Sequence, residues 1–157
     1  INQNFERPIT DDLFVGLEND IIAVFEKIGS DFAKHLVNKA ADYDLETLVS
    51  DVFDILAQYA VGCLFIEKNQ FDFKFLAEHY RAYRKKFLET MTQYLTAFVE
   101  SGKVRPLEQL ELTTTLIIEI LSWWAMDIRY TSFETQDIPP ELAKKICIDN
   151  IISAYKS

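Results

Sequence analysis

One run of apolar residues keeps helical spacing from Leu76 to Phe98, and it constrains the fold more than any other feature. Seven residues follow one another at intervals of 4, 3, 4, 4, 3 and 4: Leu76, Tyr80, Tyr83, Phe87, Met91, Tyr94 and Phe98. A strand would alternate every two residues, so this spacing indicates one face of an α-helix. The pattern predicts a helix from Asp72 to Ser101, closed by Gly102. At 1.5 Å per residue such a helix spans roughly 45 Å.

Shorter segments with the same period lie before this helix. Thr10, followed by two aspartates, predicts the start of a helix that ends at Gly29, and a second piece follows from about Asp31 to Ala41. Asp44 predicts the cap of another helix, whose apolar stripe runs through Leu64. Since residues 61–66 are apolar on all sides, we expect other helices to surround that part.

Two further helices are predicted near the C-terminus. Pro106 predicts the start of one helix, because proline is favoured at the first helical position. Its apolar arc, counted through Ile128 at 100° per residue, is about 220° wide, twice what a one-sided surface helix needs. After a polar loop over residues 131–137, Pro139 and Pro140 predict the start of the last helix, which is also apolar over much of its circumference. Both helices are therefore expected to contact two partners.

The composition agrees with an all-helical chain. Its 157 residues, 49% of them hydrophobic, fit one domain that covers the whole chain, and four glycines and four prolines are few for a many-stranded sheet. We predict an all-α bundle of about six helices. Because the last two helices are apolar on two sides, we expect them to pair with a second copy as a four-helix dimer interface.

Charge and cysteines define the expected setting. The net charge of −9 repels a polyanion such as DNA at long range. Cys63 and Cys147 lie on apolar helix faces without metal-type spacing, which favours a reduced, cytoplasmic location. The longest apolar stretch, residues 55–66, is shorter than the 18 or more residues that a membrane span needs, and no signal peptide is evident. The chain starts at Ile1 without a Met, so a segment upstream is expected.

No pattern of residues predicts a catalytic or metal site. His35 and His79 lack a glutamate three positions before them, so the pairs of a di-iron site are missing. Calcium-loop, phosphate-loop and nucleophile-elbow motifs are also missing. An enzyme is therefore disfavoured, and no cofactor is expected. The basic cluster of residues 81–86, with Arg84 in it, is interpreted as a solvated face that pairs with neighbouring acids, although an anionic partner stays open.

Residues 94–105 (YLTAFVESGKVR), followed by Pro106-Leu-Glu and a helix that ends in Trp123-Trp124-Ala, resemble the effector-binding domain of TetR-type transcriptional regulators. In that family a long helix ends in a similar Gly-Lys-x-Arg turn. The likeness covers the whole chain in length and helix order. An N-terminal helix-turn-helix of about fifty residues, which the family uses to read the major groove, has no counterpart before Thr10.

The resemblance implies a regulatory domain that binds a small, hydrophobic or aromatic effector and dimerises. DNA would be bound only by a helix-turn-helix upstream of this chain. The predicted effector pocket lies between the Asp44 helix, the long helix and the Pro106 helix; its candidate residues are Phe53, Tyr59, Cys63, Phe87, Met91, Tyr94 and Trp124. The candidate dimer residues are Leu116, Ile120, Trp123, Ile148, Ile152 and Tyr155.

Two alternatives remain open. For each candidate pocket residue taken singly, plain core is the favoured interpretation, because core residues have the same helical spacing. The whole chain could also be an all-α module that binds a partner protein through its last helices, without an effector pocket. The identity of an effector, the operator, and the choice between repression and activation lie beyond the sequence.

Overall fold

The computed structural model describes residues 11–38, 42–134 and 136–157, and of residues 11–15 only the backbone. Its helices are α1 (Asp11–Val37), α2 (Leu45–Gln58), α3 (Ala60–Lys68), α4 (Lys74–Glu100), α5 (Leu110–Ser122), α6 (Ile128–Tyr130) and α7 (Pro140–Tyr155). A π-helical turn (Trp123–Asp127) joins α5 to α6, so these form one continuous rod, and the described residues form six helices in all. The prediction of an all-α fold is confirmed: the described residues contain no β-strand, and Val104 and Lys156 form an isolated bridge.

Helix α1 continues through Gly29, so the predicted helix end at that residue is wrong. The apolar residues Phe25, Ile28, Phe32 and Leu36 keep intervals of three and four across the glycine, and all four pack in or against the core. Their burial outweighs the cost of a glycine inside a helix, about 1 kcal/mol relative to alanine. The predicted cap Thr10, and residues 39–41 at the end of the second predicted piece, lie outside the described residues.

Asp44 caps α2 as predicted. Its carboxylate accepts hydrogen bonds from the backbone N–H and the hydroxyl of Thr47, both at 2.9 Å. The predicted continuation to Leu64 as one helix is wrong, because the chain bends by 64° between α2 and α3 at Tyr59. Despite the bend, Ala60, Cys63 and Leu64 of the predicted stripe are buried, together with Ile66.

Residues 61–66 are not surrounded by other helices, which corrects a second expectation for this segment. Val61 is 66% exposed and Phe65 is 50% exposed. With only nine residues, α3 packs on α4 and on the π-helical turn, which leaves these two side chains largely open to solvent. The apolar residues on all sides of this segment therefore give α3 an exposed apolar surface.

Helix α4 ends where the sequence predicts, although it starts at Lys74 rather than Asp72. Gly102 adopts a positive φ of 78°, which glycine tolerates without strain. Its N–H donates to the carbonyl of Val99, and the N–H of Lys103 donates to the carbonyl of Phe98. These two bonds form a Schellman motif and satisfy carbonyls that the helix end leaves free.

Pro106 does not start a helix, so that prediction is wrong. The two residues before it contact the C-terminal end of the chain instead. Val104 forms an isolated antiparallel β-bridge with Lys156, and the N–H of Arg105 donates to the carbonyl of Tyr155. Helix α5 starts only at Leu110, after Gln109 with its left-handed φ of 50°. The prediction for α7 is confirmed, since Pro139 precedes the helix and Pro140 is its first residue.

Helix α4 lies in the centre of the bundle, against α1, α3 and α5, while α2 packs against α5, α7 and the π-helical turn. One continuous core of buried side chains joins α1 through α5 with α7. Among the described residues, no helix alone has the length and apolar composition of a membrane span; only the bent pair of α2 and α3 meets both when taken together.

Candidate functional site

A cavity of about 260 Å³ lies between α2, α3, α4 and the rod of α5 and the π-helical turn. Most of its wall is apolar, and the apolar side chains come from each of these elements: Ile55, Leu56, Cys63, Phe87, Leu88, Ile118 and Met126. The space exists partly because two of the facing residues, Cys63 and Ser122, are small. This position, between the helices predicted from the sequence, makes the cavity the candidate ligand site.

Polar side chains gather at one side of this cavity. The Arg84 guanidinium lies 2.7 Å from a carboxylate oxygen of Glu67 and 3.3 Å from one of Glu119. The Tyr80 hydroxyl donates to the same oxygen of Glu67 at 2.7 Å. Arg84 therefore connects α3, α4 and α5, and it presents a cation to the cavity. The interpretation of the basic cluster as a face that pairs with neighbouring acids is confirmed for this residue.

The hydroxyl and thiol groups in the wall stay protonated at neutral pH. Burial raises the pKa of the Cys63 thiol and of the Tyr80 and Tyr83 hydroxyls. A thiol with a raised pKa is a poor nucleophile, because the thiolate is the reactive form. Within the described residues, no three His, Cys, Asp or Glu side chains are grouped as metal ligands would be. The arrangement is suited to binding an apolar molecule.

A second cavity of about 470 Å³ lies beside the first, between α1, α3 and α4. Cys63 and Tyr83 line both cavities and so form the partition between them. The ring of Tyr83 stacks on Phe25 of α1 at 4.9 Å between centroids. Almost all of the remaining wall is aliphatic or aromatic, and Gly62 leaves part of it open.

The structure brings only some of the predicted pocket residues to these cavities. Cys63 and Phe87 line the first cavity, and Tyr59 lines the second. The other four line neither cavity: Phe53, Met91 and Tyr94 are buried in the core, and Trp124 is half-buried against it. Helical spacing places all seven on inward faces, but it does not distinguish a residue that borders a void from one that fills it.

Sequence reasoning did not select Tyr80, Arg84, Ser122 or Met126 for this site. A signal existed for the first two: Tyr80, Tyr83, Arg84 and Phe87 follow one another on α4 at helical spacing, so the arginine shares a face with aromatic residues. No signal existed for Met126, because the π-helical turn that contains it changes the angular register of α5.

The predicted dimer residues divide into two groups. On α5 and the π-helical turn, Leu116 is 54% exposed and Trp123 is 46% exposed, while Ile120 is half-buried. On α7, Ile148, Ile152 and Tyr155 are half-buried and pack against the core. The outward apolar residues of α7 are instead Leu142 and Ile146, which the sequence reasoning did not select.

The side of α7 that carries Ile148 and Ile152 is turned toward α2. Lys144, four residues before Ile148, lies 2.9 Å from a carboxylate oxygen of Asp54 on α2. Ile152 shares a groove with Leu45 at the start of α2. These contacts account for the partial burial of both isoleucines within one copy of the chain.

No model of a known protein family matches the chain, and no curated protein is significantly similar to it. The functional interpretation therefore depends on the geometry of the two cavities and of the exposed face on α5 and α7.

Proposed function

We propose that the chain is the regulatory domain of a TetR-type transcriptional regulator, which binds a small hydrophobic effector in the first cavity and forms a dimer through α5 and α7. Binding of DNA would belong to a helix-turn-helix upstream of these residues, in keeping with the net charge of −9. The resemblance of residues 94–124 to the family and the all-helical fold both support this proposal.

One observation carries the proposal: the helical rod that walls the cavity also presents an unpartnered apolar stripe. Ile118, Ser122 and Met126 line the cavity. Leu112 and Leu116, on another side of the same rod, are 66% and 54% exposed. A ligand would thus contact the element whose outer surface meets a second copy. This is the physical requirement for coupling two sites, since a ligand shifts an equilibrium only by contacts that differ between its states.

The outward apolar side chains form one narrow stripe. At 100° per residue, Leu112, Leu116 and Trp123 lie within about 40° of one another around the rod. Leu142 and Ile146, four residues apart on α7, add apolar surface on the side away from α2. Exposed apolar residues are ordinary when scattered, but a contiguous set of this kind is typical of an interface.

The solution mass of the chain tests the proposal. Light scattering across a tenfold dilution is expected to give about twice 18.2 kDa. Leu116→Glu is expected to give a folded monomer, because the side chain is already exposed and the charge would be buried only in the dimer. Val61→Glu, an equally exposed position on α3, is the matched control and is expected to stay dimeric.

A monomer at every concentration would contradict the proposal and would favour the alternative, a helical module that binds another protein through α5 and α7. A dimer that Val61→Glu disrupts and Leu116→Glu leaves intact would place the interface on α3 instead. The sequence upstream of Ile1 gives an independent test, because the proposal requires a basic helix-turn-helix there.

A further inference from the structure

The two cavities differ in the chemistry of their walls. The first has Arg84, Lys85 and Glu119 in its wall; with Glu67, which pairs with Arg84, these charges sum to zero, and they leave one positive charge if Glu119 turns away to solvent. The second has a single charged lining residue, Glu18, among aliphatic and aromatic side chains. A molecule that occupied both would need an anionic end and a long apolar end.

The partition between the cavities consists of two side chains, and the Tyr83 ring in it lies 6.1 and 6.0 Å from the rings of Tyr80 and Phe87. Cys63 contributes a small side chain. Tyr83 contributes a ring stacked on Phe25, and its hydroxyl accepts or donates no hydrogen bond among the described residues. Rotation of one aromatic side chain would join the two spaces. The first cavity alone is below the usual volume of a ligand pocket, about 300–1,000 Å³, whereas the joined space falls within that range.

Arg84 can accept an anionic ligand without losing its position. Its contact with Glu67 at 2.7 Å involves a carboxylate side chain that is 27% exposed, and this contact fixes the guanidinium. Its contact with Glu119 is longer, 3.3 Å, and that carboxylate is 59% exposed. An exposed ion pair of this kind contributes little, so a ligand carboxylate could replace Glu119 at small cost.

We propose that the two cavities form one elongated site for a long-chain carboxylate. Its head group binds Arg84 in place of Glu119, and its hydrocarbon chain passes Tyr83 into the second cavity. This inference deepens the proposed function, because it assigns a chemical class to the effector of the same domain.

The dependence of affinity on chain length tests the path of the hydrocarbon. Hexanoate, octanoate, decanoate and dodecanoate are titrated calorimetrically into the intact chain, below their micelle concentrations. We expect the Kd to fall about fourfold for each methylene that enters the second cavity. Gly62→Leu is the blocking variant: a Cβ at Gly62 meets nothing within 4 Å, so the fold accepts it, and the side chain fills the second cavity.

With Gly62→Leu, dodecanoate is expected to lose at least tenfold in affinity while hexanoate binds as before. Gly16→Leu is the matched control, because Gly16 is also helical with nothing within 4 Å, and it lines neither cavity. The same chain-length dependence in both variants, or no dependence in the unmodified chain, would overturn the proposed path.

The head group has its own test. Glu119→Gln removes the competing carboxylate, so dodecanoate is expected to bind about two- to fivefold more tightly, whereas dodecanamide is unaffected. A loss of dodecanoate affinity, or an equal change for the amide, would contradict binding at Arg84.

These results are independent of the solution mass. A dimer that binds no carboxylate would overturn this inference and leave the regulator proposal standing. A monomer that binds dodecanoate with the expected chain-length dependence would overturn the regulator proposal and support the ligand site.

Discussion

The two parts of α4 have the same apolar spacing, but one is tightly packed and the other borders the cavities. In residues 91–100, Met91 and Leu95 are fully buried, and the rings of Phe32 and Tyr43 contact Tyr94 at 5.4 and 5.1 Å between centroids. In residues 74–90, the same face of the helix borders both cavities. We call these the packed half and the cavity half.

The difference comes from the partners and not from α4 itself. Large aromatic side chains of α1 and of the segment before α2 fill the space against the packed half. Against the cavity half, Phe25 and Phe32 of α1 also stack on Tyr83 and Phe87, but the facing positions on α3 and α5 include Gly62, Cys63 and Ser122, which are too small to reach across. A helix whose stripe is continuous can therefore provide both the rigid core and the wall of a binding site, depending on the size of the residues opposite.

The largest expected effect is on stability, and a matched pair of leucines on α4 tests it. Leu95→Ala in the packed half removes a fully buried side chain and leaves a cavity, so it is expected to lower the free energy of unfolding by about 3–5 kcal/mol. Leu88→Ala in the cavity half, where the side chain is half-buried and already borders a void, is expected to cost about 1–2 kcal/mol.

Urea unfolding followed by far-UV circular dichroism measures both values. Equal losses at the two positions would show that the cavity half is as well packed as the other, and the distinction between the halves would have to be abandoned.

Two tyrosines on α4, one in each half, are expected to differ by a smaller amount in the stability that their hydroxyl groups contribute. The Tyr94 hydroxyl donates to the backbone carbonyl of Phe32, so Tyr94→Phe leaves that carbonyl without this partner. We expect a loss of about 1–2 kcal/mol. Tyr83→Phe removes a hydroxyl that has no partner among the described residues, and it is expected to cost less than about 0.5 kcal/mol.

The same unfolding experiment compares these variants. A Tyr83→Phe variant that is destabilised as much as Tyr94→Phe would mean that the Tyr83 hydroxyl is fixed, and the partition between the cavities would then be rigid.

The sequence was sufficient for the features that local chemistry determines. The spacing along α4, the Asp44 cap and the Gly102 end are each decided by residues within one or two turns, and all three are confirmed. The predicted helix end at Gly29 and helix start at Pro106 are both wrong, because tertiary contacts outweigh the local preferences of these two residues. At Gly29 these contacts are the burial of α1 side chains in the core. Near Pro106 they are the β-bridge between Val104 and Lys156.

The candidate site was less predictable, for a related reason. A void depends on the sizes of side chains that meet across helices, and one sequence does not say which residues meet. Phe53, Met91 and Tyr94 were therefore selected with Cys63 and Phe87, although only the last two line the first cavity.

An effect no larger than that of Tyr94→Phe is expected at the cap beside the packed half, where the Lys103 ammonium also donates to the carbonyl of Tyr43 at 2.9 Å. Asp44→Ala is expected to cost about 1 kcal/mol, because the N–H of Thr47 loses its acceptor. Asp44→Asn keeps an acceptor and is the matched control. The hydrogen bond from the backbone N–H of Thr47 holds the pKa of Asp44 below its ordinary value of 3.8.

That lowered pKa gives the Asp44 cap a defined pH dependence. The folded state binds the proton more weakly than the unfolded chain, so the stabilisation is complete above about pH 4 and declines as the pH falls below it. Because the side chain is largely exposed, the pH-dependent part is expected to be no more than about 0.5 kcal/mol. Urea unfolding at pH 7 and pH 3 measures it as the difference between the unmodified chain and Asp44→Asn, in which other carboxylates cancel. A difference that grows toward low pH would contradict the assigned cap, because protonation can only weaken a carboxylate acceptor.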